Sequence, residues 1–436
     1  MTVSREAQRS GAERGNGDAL RSEDSASRLK AFEVAVVGAG AAGLMAAMRA
    51  AERGKRVLLL EKNRKPGVKI LMSGGTRCNI THATNNRGIV EAYGPPGKFL
   101  HSALAAFSVQ DTLDFFEAEG VATKVEETGK VFPVSDKALD VLNALLRRLQ
   151  RSGATLALDE PLQRLSPHGD IFELATPKRT LTAEKVILTT GGKSYPGSGT
   201  TGDGYAFAAQ WGHTIVPPRP ALVPVRITAP WVADLRGITL PDVRVRILEG
   251  ESVLDQRRGS LLFAHFGLTG PVILDISRTI SGHSRPNSLQ LEIDLLPPLK
   301  EADVDEFLRR QAQESGKKQL TVVLTSLLPR RLCDHVLSLC GLPIERKAAA
   351  LSREERACII AVVKRLRLPV AGTLGFEKAE VTAGGIALNE VDSRNMQSKL
   401  VPNLFLAGEV LDLDGPIGGY NFQAAWSTGW LAGNSV

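Results

Sequence analysis

Val34-Ala35-Val36-Val37-Gly38-Ala39-Gly40-Ala41-Ala42-Gly43-Leu44 decides how this 436-residue chain folds. Four consecutive apolar residues suit a strand buried on both faces, and a G-x-G-x-x-G spacing follows directly. Leu44, Ala46, Ala47, Met48 and Ala50 then continue at helical spacing. In such a strand–turn–helix unit Gly38 permits the tight turn, Gly40 lets the backbone approach a pyrophosphate, and Gly43 lets helix and strand pack closely. Ala42 shares that turn. The helix start adds free N–H groups and partial positive charge for phosphates. A second strand reads at 56–60, with Glu61 at its end and Lys62 after it. An acid about 20 residues beyond the glycines is where a ribose 2′-OH is held. Its charge repels a 2′-phosphate, so the unit predicts FAD or NAD rather than NADP.

Just outward lies Ser73-Gly74-Gly75-Thr76-Arg77-Cys78-Asn79, an unusual run for a purely structural loop. Its glycines permit close backbone approach, and Arg77 and Asn79 can bind phosphate or a flavin ring edge. Cys78 reads as a proton donor or as a small packed residue. A helix is expected over 99–120 and another over 138–149, capped by Ser135 or Asp136. Strands at 155–158, 163–165 and 171–175 read as a small antiparallel layer over the parallel sheet.

The buried-strand pattern restarts at 185–190 and ends in Gly191 and Gly192. A second G-x-G-x-x-G (Gly197, Gly199, Gly202) has Tyr195 and Pro196 where a strand should lead in. It reads as a loop against the cofactor, with Asp203 and Gly204 capping a helix over 205–211. Pro217, Pro218, Pro220 and Pro224 mark a boundary. Alternating segments at 223–227, 243–248, 261–263, 272–276 and 289–293 then predict an antiparallel β domain. Its Gly-rich loop carries His265, a candidate acid or base that also reads as a structural histidine. From 297 to 367 the chain turns helical and basic, with Arg330, Arg331, Lys347, Lys364, Arg365 and Arg367 available to an acidic surface or simply solvated.

Sheet returns near 380–386 and 403–407. Gly408-Glu409 and Gly415-Pro416-Ile417-Gly418-Gly419-Tyr420-Asn421 then open a helix over 422–431. Glu409 can hold a ribityl chain or its neighbours. The helix start, with Gly419, Asn421 and Phe422, can face the pyrimidine edge of a flavin, where the reduced ring is anionic. The first and last segments of the chain thus build one site.

A net charge of +7 is a moderate excess that fits an acidic partner without requiring one. No apolar run approaches membrane-span length, so no membrane partner is expected. Four cysteines without C-x-x-C spacing indicate neither a disulfide framework nor a metal site, and a reducing cytoplasm is the simplest compartment. Residues 1–30, mixed in charge and almost without apolar content, read as a disordered tail.

Taken jointly, these motifs resemble the bacterial BaiN/RdsA-like FAD-dependent flavoproteins, which include aminoacetone-oxidase-type members. The resemblance runs from about residue 33 to the C-terminus. It rests on 73–81 and 131–136, on Gly191-Gly192-Lys193-Ser194-Tyr195-Pro196-Gly197, on 262–271, and on 408–412 through 426–429. Thr76, where the family usually carries a third glycine, and Pro416-Ile417 depart from its pattern. The resemblance implies an α/β fold, a Rossmann-like parallel-sheet FAD domain interrupted by an antiparallel β-barrel with a small helical insert. The FAD domain would occupy 31–216 and 387–436, the barrel 217–298, the insert 299–367, and the return 368–386. It also implies an oxidoreductase acting on a small molecule, by reduction of an activated C=C bond, or on uridine in ribosomal RNA, or by amine oxidation. Reduced FAD would pass hydride, NAD(P)H would act as transient reductant, and Cys78, His265 or Tyr195 would give the proton. The reading outside enzymology is a flavin-binding or RNA-binding module.

Overall fold

The opening stretch folds as strand Ala31–Val37 and helix Ala41–Glu52 in a computed structural model that describes residues 31–436. The tail expected over 1–30 lies outside the described residues. Ala31–Val37 is central in a parallel sheet, between Val57–Leu60 and Thr180–Leu188, with Thr155–Ala157 and Leu404–Leu406 outside them. Val37 pairs with both Leu60 and Leu188, so the three strands end level. That levelling sets Gly38, Glu61 and Thr189 side by side at the carboxyl edge, where open α/β sheets bind ligands. Both faces are sealed by apolar side chains, among them Met45, Phe116, Leu145 and Trp426 on one and Leu104, Phe172 and Tyr205 on the other.

Three local expectations change. Segment 155–158 belongs to the parallel sheet rather than to the antiparallel layer, which is Arg164–His168 with Ile171–Ala175 on the edge of Thr180–Leu188. The helix expected over 99–120 breaks at Phe107, because Ser108 and Asp111 form a reciprocal capping box that starts a new helix, Val109–Ala118. The helix after Pro133 spans Ala138–Ser152 with Lys137 as its N-cap, while Asp136 instead pairs with Lys124 at 2.6 Å.

An antiparallel ribbon, Ile215–Ala221 with Val381–Ile386, carries the chain out of the sheet and back. Between its arms six strands close a barrel: Val225–Ile227, Gly267–Thr269, Ser252–Ala264, Thr239–Glu249, Leu289–Asp294 and Leu366–Thr373. Segment 272–276, expected as a strand, is the start of helix Pro271–Gly282. Its run of branched apolar residues mimics a buried strand, but proline at the first helical position after a glycine is a helix start. Helices Glu301–Glu314, Leu320–Leu324, Arg330–Leu339 and Arg353–Lys364 are inserted between the last two barrel strands in sequence. Barrel and helices share one apolar cluster, in which Phe263 and Ile276 belong with Leu308, Leu332 and Ile359. Among the described residues no helix is long and apolar enough to cross a membrane.

Candidate active site

A cavity of about 640 Å³ follows the carboxyl edge of the sheet, from Gly38 and Glu61 at one end to Lys130, Glu380 and Gly419 at the other. At the first end, Gly38 adopts φ +103°, and a Cβ there would stand 2.7 Å from the Thr189 carbonyl oxygen. A Cβ on Gly43 would come within 1.8 Å of the Gly38 carbonyl oxygen, whereas one on Gly40 would meet no protein atom within 4 Å. The turn is therefore tight against protein on one side and open on the side that faces the cavity. Glu61 Oε2 accepts the Ala39 N–H and Oε1 the Asn63 N–H, both at 2.8 Å. Burial pushes this carboxyl's pKa up and the two backbone donors oppose the shift. The buried Thr190 hydroxyl has no partner among the described residues. Open Gly40, backbone-oriented Glu61 and unpartnered Thr190 fit an adenine dinucleotide laid along this edge.

Most residues expected at the cofactor line this cavity: Gly38, Gly40, Ala42, Glu61, Lys62, Arg77, Asn79, Gly191, Asp203, Gly408, Glu409, Gly419, Asn421 and Phe422. Gly43 and Gly192 lie behind its wall; a Cβ on Gly192 would come 2.3 Å from Thr382 Oγ1. Several lining side chains already have protein partners. Lys62 Nζ donates to Asp203 Oδ2 and Thr201 Oγ1, each at 2.6 Å. Arg77 pairs with Glu126 at 2.7 Å and lies over the Phe132 ring. Asn79, with its amide turned to satisfy both ends, donates to the Thr81 and Val131 carbonyls and accepts the Gly419 N–H at 3.0 Å. Asn421 pins the 415–419 loop through the Gly415 N–H at 2.8 Å and the Gly415 carbonyl at 2.9 Å. Glu409 is likewise engaged: Oε2 meets Lys69 Nζ at 2.6 Å, and Oε1 accepts Ser194 Oγ–H and the Thr382 N–H at 2.8 Å.

The three proton-donor candidates separate. Tyr195 lines the cavity in a left-handed conformation, φ 54°, its N–H held by the Phe376 carbonyl at 2.8 Å. Cys78 lies outside the lining, fully buried, and burial pushes its thiol up to about 12. His265 is exposed in the barrel loop between Ser252–Ala264 and Gly267–Thr269, also outside the lining.

Four residues that sequence reasoning did not single out shape the far end: Lys130, Lys378, Glu380 and Asp275. Lys130, Lys378 and Glu380 line the cavity, and Asp275 Oδ1 accepts the Ile417 N–H at 2.7 Å from the barrel side. Burial raises the Asp275 carboxyl to about 6 against that hydrogen bond. Lys130 abuts the motif 131–136 and Glu380 opens the sheet segment 380–386, which was the available signal. Their meeting depends on the fold.

The model of the HI0933-like protein Rossmann domain matches residues 32–435. The chain is 34% identical to the ribosomal RNA dihydrouridine synthase of Escherichia coli (strain K12), over 94% of this chain and 98% of that one. It is 31% identical to the 3-dehydro-bile acid delta(4,6)-reductase of Clostridium scindens, over 92% and 98%, and 33% identical to the ribosomal RNA dihydrouridine synthase of Haemophilus influenzae, over 92% and 97%. With its motifs, fold and cofactor edge all in agreement, the chain belongs to the HI0933-like Rossmann family, the BaiN/RdsA-type FAD-dependent oxidoreductases.

Proposed function

We propose that this enzyme reduces a carbon–carbon double bond conjugated to a carbonyl, and that uracil in ribosomal RNA is the substrate. The reaction class is what the names of its relatives share, since uracil and a steroid dienone both present such a bond. The observation that carries the RNA reading is where unpaired cations stand. Lys130 and Lys378 line the cavity and Lys193 stands beside it, between lining residues Gly191 and Tyr195. Among the described residues no carboxylate lies within 4.0 Å of these three ammonium groups. Of the six basic insert residues singled out above, all but Lys347 are occupied instead, Arg330 by Asp334 at 3.5 Å. Lys364 pairs with Asp294 at 2.7 Å, Arg365 with Glu301 at 2.9 Å, and Arg367 with Glu251 and Glu292 at 3.0 Å, while Arg331 donates to the Asp234 carbonyl at 2.8 Å. Phosphates flanking a uridine would thus be met by the cavity lysines rather than by these paired residues of the insert.

In this reading the turn from Gly38 to Gly43 takes the pyrophosphate, Glu61 the ribose hydroxyls, and the start of helix Tyr420–Ser435 the flavin's pyrimidine edge. When bound and reduced, FAD supplies hydride, and NAD(P)H is the proposed reductant of the cytoplasmic enzyme. The chain's own work is to exclude water, orient the base and deliver a proton. A uracil must leave its stack to enter, at a cost of a few kcal/mol. Deleting the gene in its host and measuring dihydrouridine in large-subunit rRNA tests the proposal. Loss of the modification, restored by the wild-type protein and not by Gly40→Val, is expected. An unchanged level would reject RNA, and purified enzyme that reduces a steroid dienone but no uridine would assign the second relative's chemistry.

A further inference from the structure

We infer that Glu380 is the proton donor, the group on the cavity wall that completes the reduced bond. The inference rests on the reading above, that a conjugated double bond is reduced. Hydride added at the carbon β to the carbonyl leaves an enolate. The O–H bond of an acid must then break while the enolate's electron pair forms a C–H bond at the α-carbon, leaving a carboxylate. Such a donor must reach the cavity, hold its proton near neutrality, and have somewhere to place the resulting negative charge.

Glu380 reaches the cavity, is shifted toward holding its proton, and faces two cations that can take up the charge. Its backbone is held by its N–H, which donates to the Leu222 carbonyl at 3.1 Å, and its carbonyl lies 3.4 Å from Ser194 Oγ. Its carboxyl lines the cavity and has no hydrogen-bond partner among the described residues, so it is free to meet a ligand. The charges facing it come from three other elements. Lys69 on helix Val68–Thr76 and Lys130 on strand Lys130–Pro133 favour the carboxylate, and Asp275 on helix Pro271–Gly282 disfavours it. The side chain is open to solvent within the cavity, yet the protein packed around it outweighs the two lysines and shifts the carboxyl's pKa above its ordinary value. Once the proton has gone, Lys69 and Lys130 are in place to stabilise the anion. Cys78 is sealed from the cavity.

The test uses FAD-loaded enzyme, with Glu380→Gln and Glu380→Asp. Glu380→Gln should keep its FAD and be reduced as fast as wild type, while turnover on uridine-containing RNA or an enone falls about 10²- to 10⁴-fold. Glu380→Asp should recover part of the loss. Wild-type turnover should fall as pH rises through the raised pKa, and that limb should be missing in Glu380→Gln. A readout without turnover is hydrogen exchange at C5 of dihydrouridine in D2O, by oxidised enzyme with no reductant present: wild type should catalyse it and Glu380→Gln should not. If wild type reduces no conjugated substrate, the functional reading fails. If it does, and Glu380→Gln equals it in turnover and exchange, only the assignment of Glu380 is overturned. Should Glu380→Gln lose FAD, Glu380→Asp decides: its alkaline limb moves if this group is the donor and stays put if it is not.

Discussion

Lys69 Nζ lies 2.6 Å from Glu409 Oε2, joining the segment after the second strand to the one before the final helix. Ser194 Oγ stands between them, accepting from Lys69 at 2.6 Å and donating to Glu409 Oε1 at 2.8 Å. Thr382, on the strand that returns from the barrel, gives its N–H to the same carboxylate. Four stretches far apart in sequence therefore meet on one ion pair at the cavity wall. Both side chains are largely but not wholly buried, so the pair is neither solvent-screened to nothing nor costly to desolvate completely.

Removing one partner leaves the other charge underhydrated. Lys69→Met is expected to destabilise the protein by about 1–3 kcal/mol, and Glu409→Gln by a similar amount, with the double variant costing less than the sum. Thermal unfolding of the three variants checks this. Strict additivity would show that the pair is not coupled.

The two glycines of the opening turn should fail differently. A side chain at Gly40 enters open space, so Gly40→Val should fold with the melting temperature of FAD-free wild type and bind no FAD. One at Gly43 meets the Gly38 carbonyl, so Gly43→Val should lose folded protein altogether. Flavin absorbance per chain and circular dichroism separate the outcomes, and a yellow Gly40→Val would refute the assignment of the pyrophosphate turn.

How much of this was readable in advance divides by distance along the chain. The 34–61 unit is local: strand, turn, helix and strand-end acid all lie within one supersecondary element, and each residue's role follows from its spacing. The capping box of Ser108 and Asp111 was equally local, and reading it would have split the helix expected over 99–120. Helix Pro271–Gly282 was misread because its branched residues outweighed the proline in a strand-based reading. Lys130, Asp275 and Glu380 carry no individual signature. Each is an ordinary charged residue until a small three-stranded sheet, a barrel helix and a returning strand bring them together.

Asp414 makes stability depend on pH. It pairs with Arg278 at 3.1 Å, yet its other oxygen is buried without a partner, and burial raises its pKa to about 6 despite the arginine. An acid whose folded pKa exceeds its unfolded value is penalised when ionised. The penalty is absent below the ordinary value near 3.8 and complete above about 6. It is worth at most about 3 kcal/mol, from roughly two pKa units. Asp414→Asn should therefore lose less stability than wild type as pH rises from 4 to 7, measured by chemical denaturation at each pH. A wild-type slope in the variant would place the titration elsewhere, Asp275 being the other carboxyl raised to about 6.

If RNA is the substrate, the cations at the cavity and those on the insert should behave unlike each other. An ammonium group already neutralised by a carboxylate releases no counterion on meeting a phosphate, because the exchange costs the existing pair. Lys130, Lys193 and Lys378 have no such pair, while Arg365 and Arg367 do. Changing the three lysines to alanine should weaken binding of a single-stranded uridine-containing rRNA fragment and flatten the plot of log affinity against log salt by about 2, at ~0.7 per phosphate contact. Changing Arg365 and Arg367 to alanine should move that slope by less than about 1, since at most one contact would be lost. The lysines should matter whatever the RNA sequence, because they would meet backbone rather than bases. Fluorescence anisotropy between 50 and 300 mM salt gives both slopes. If the arginine variant flattens the plot and the lysine variant does not, the RNA lies across the helical insert, and the cations at the cavity serve a small substrate instead.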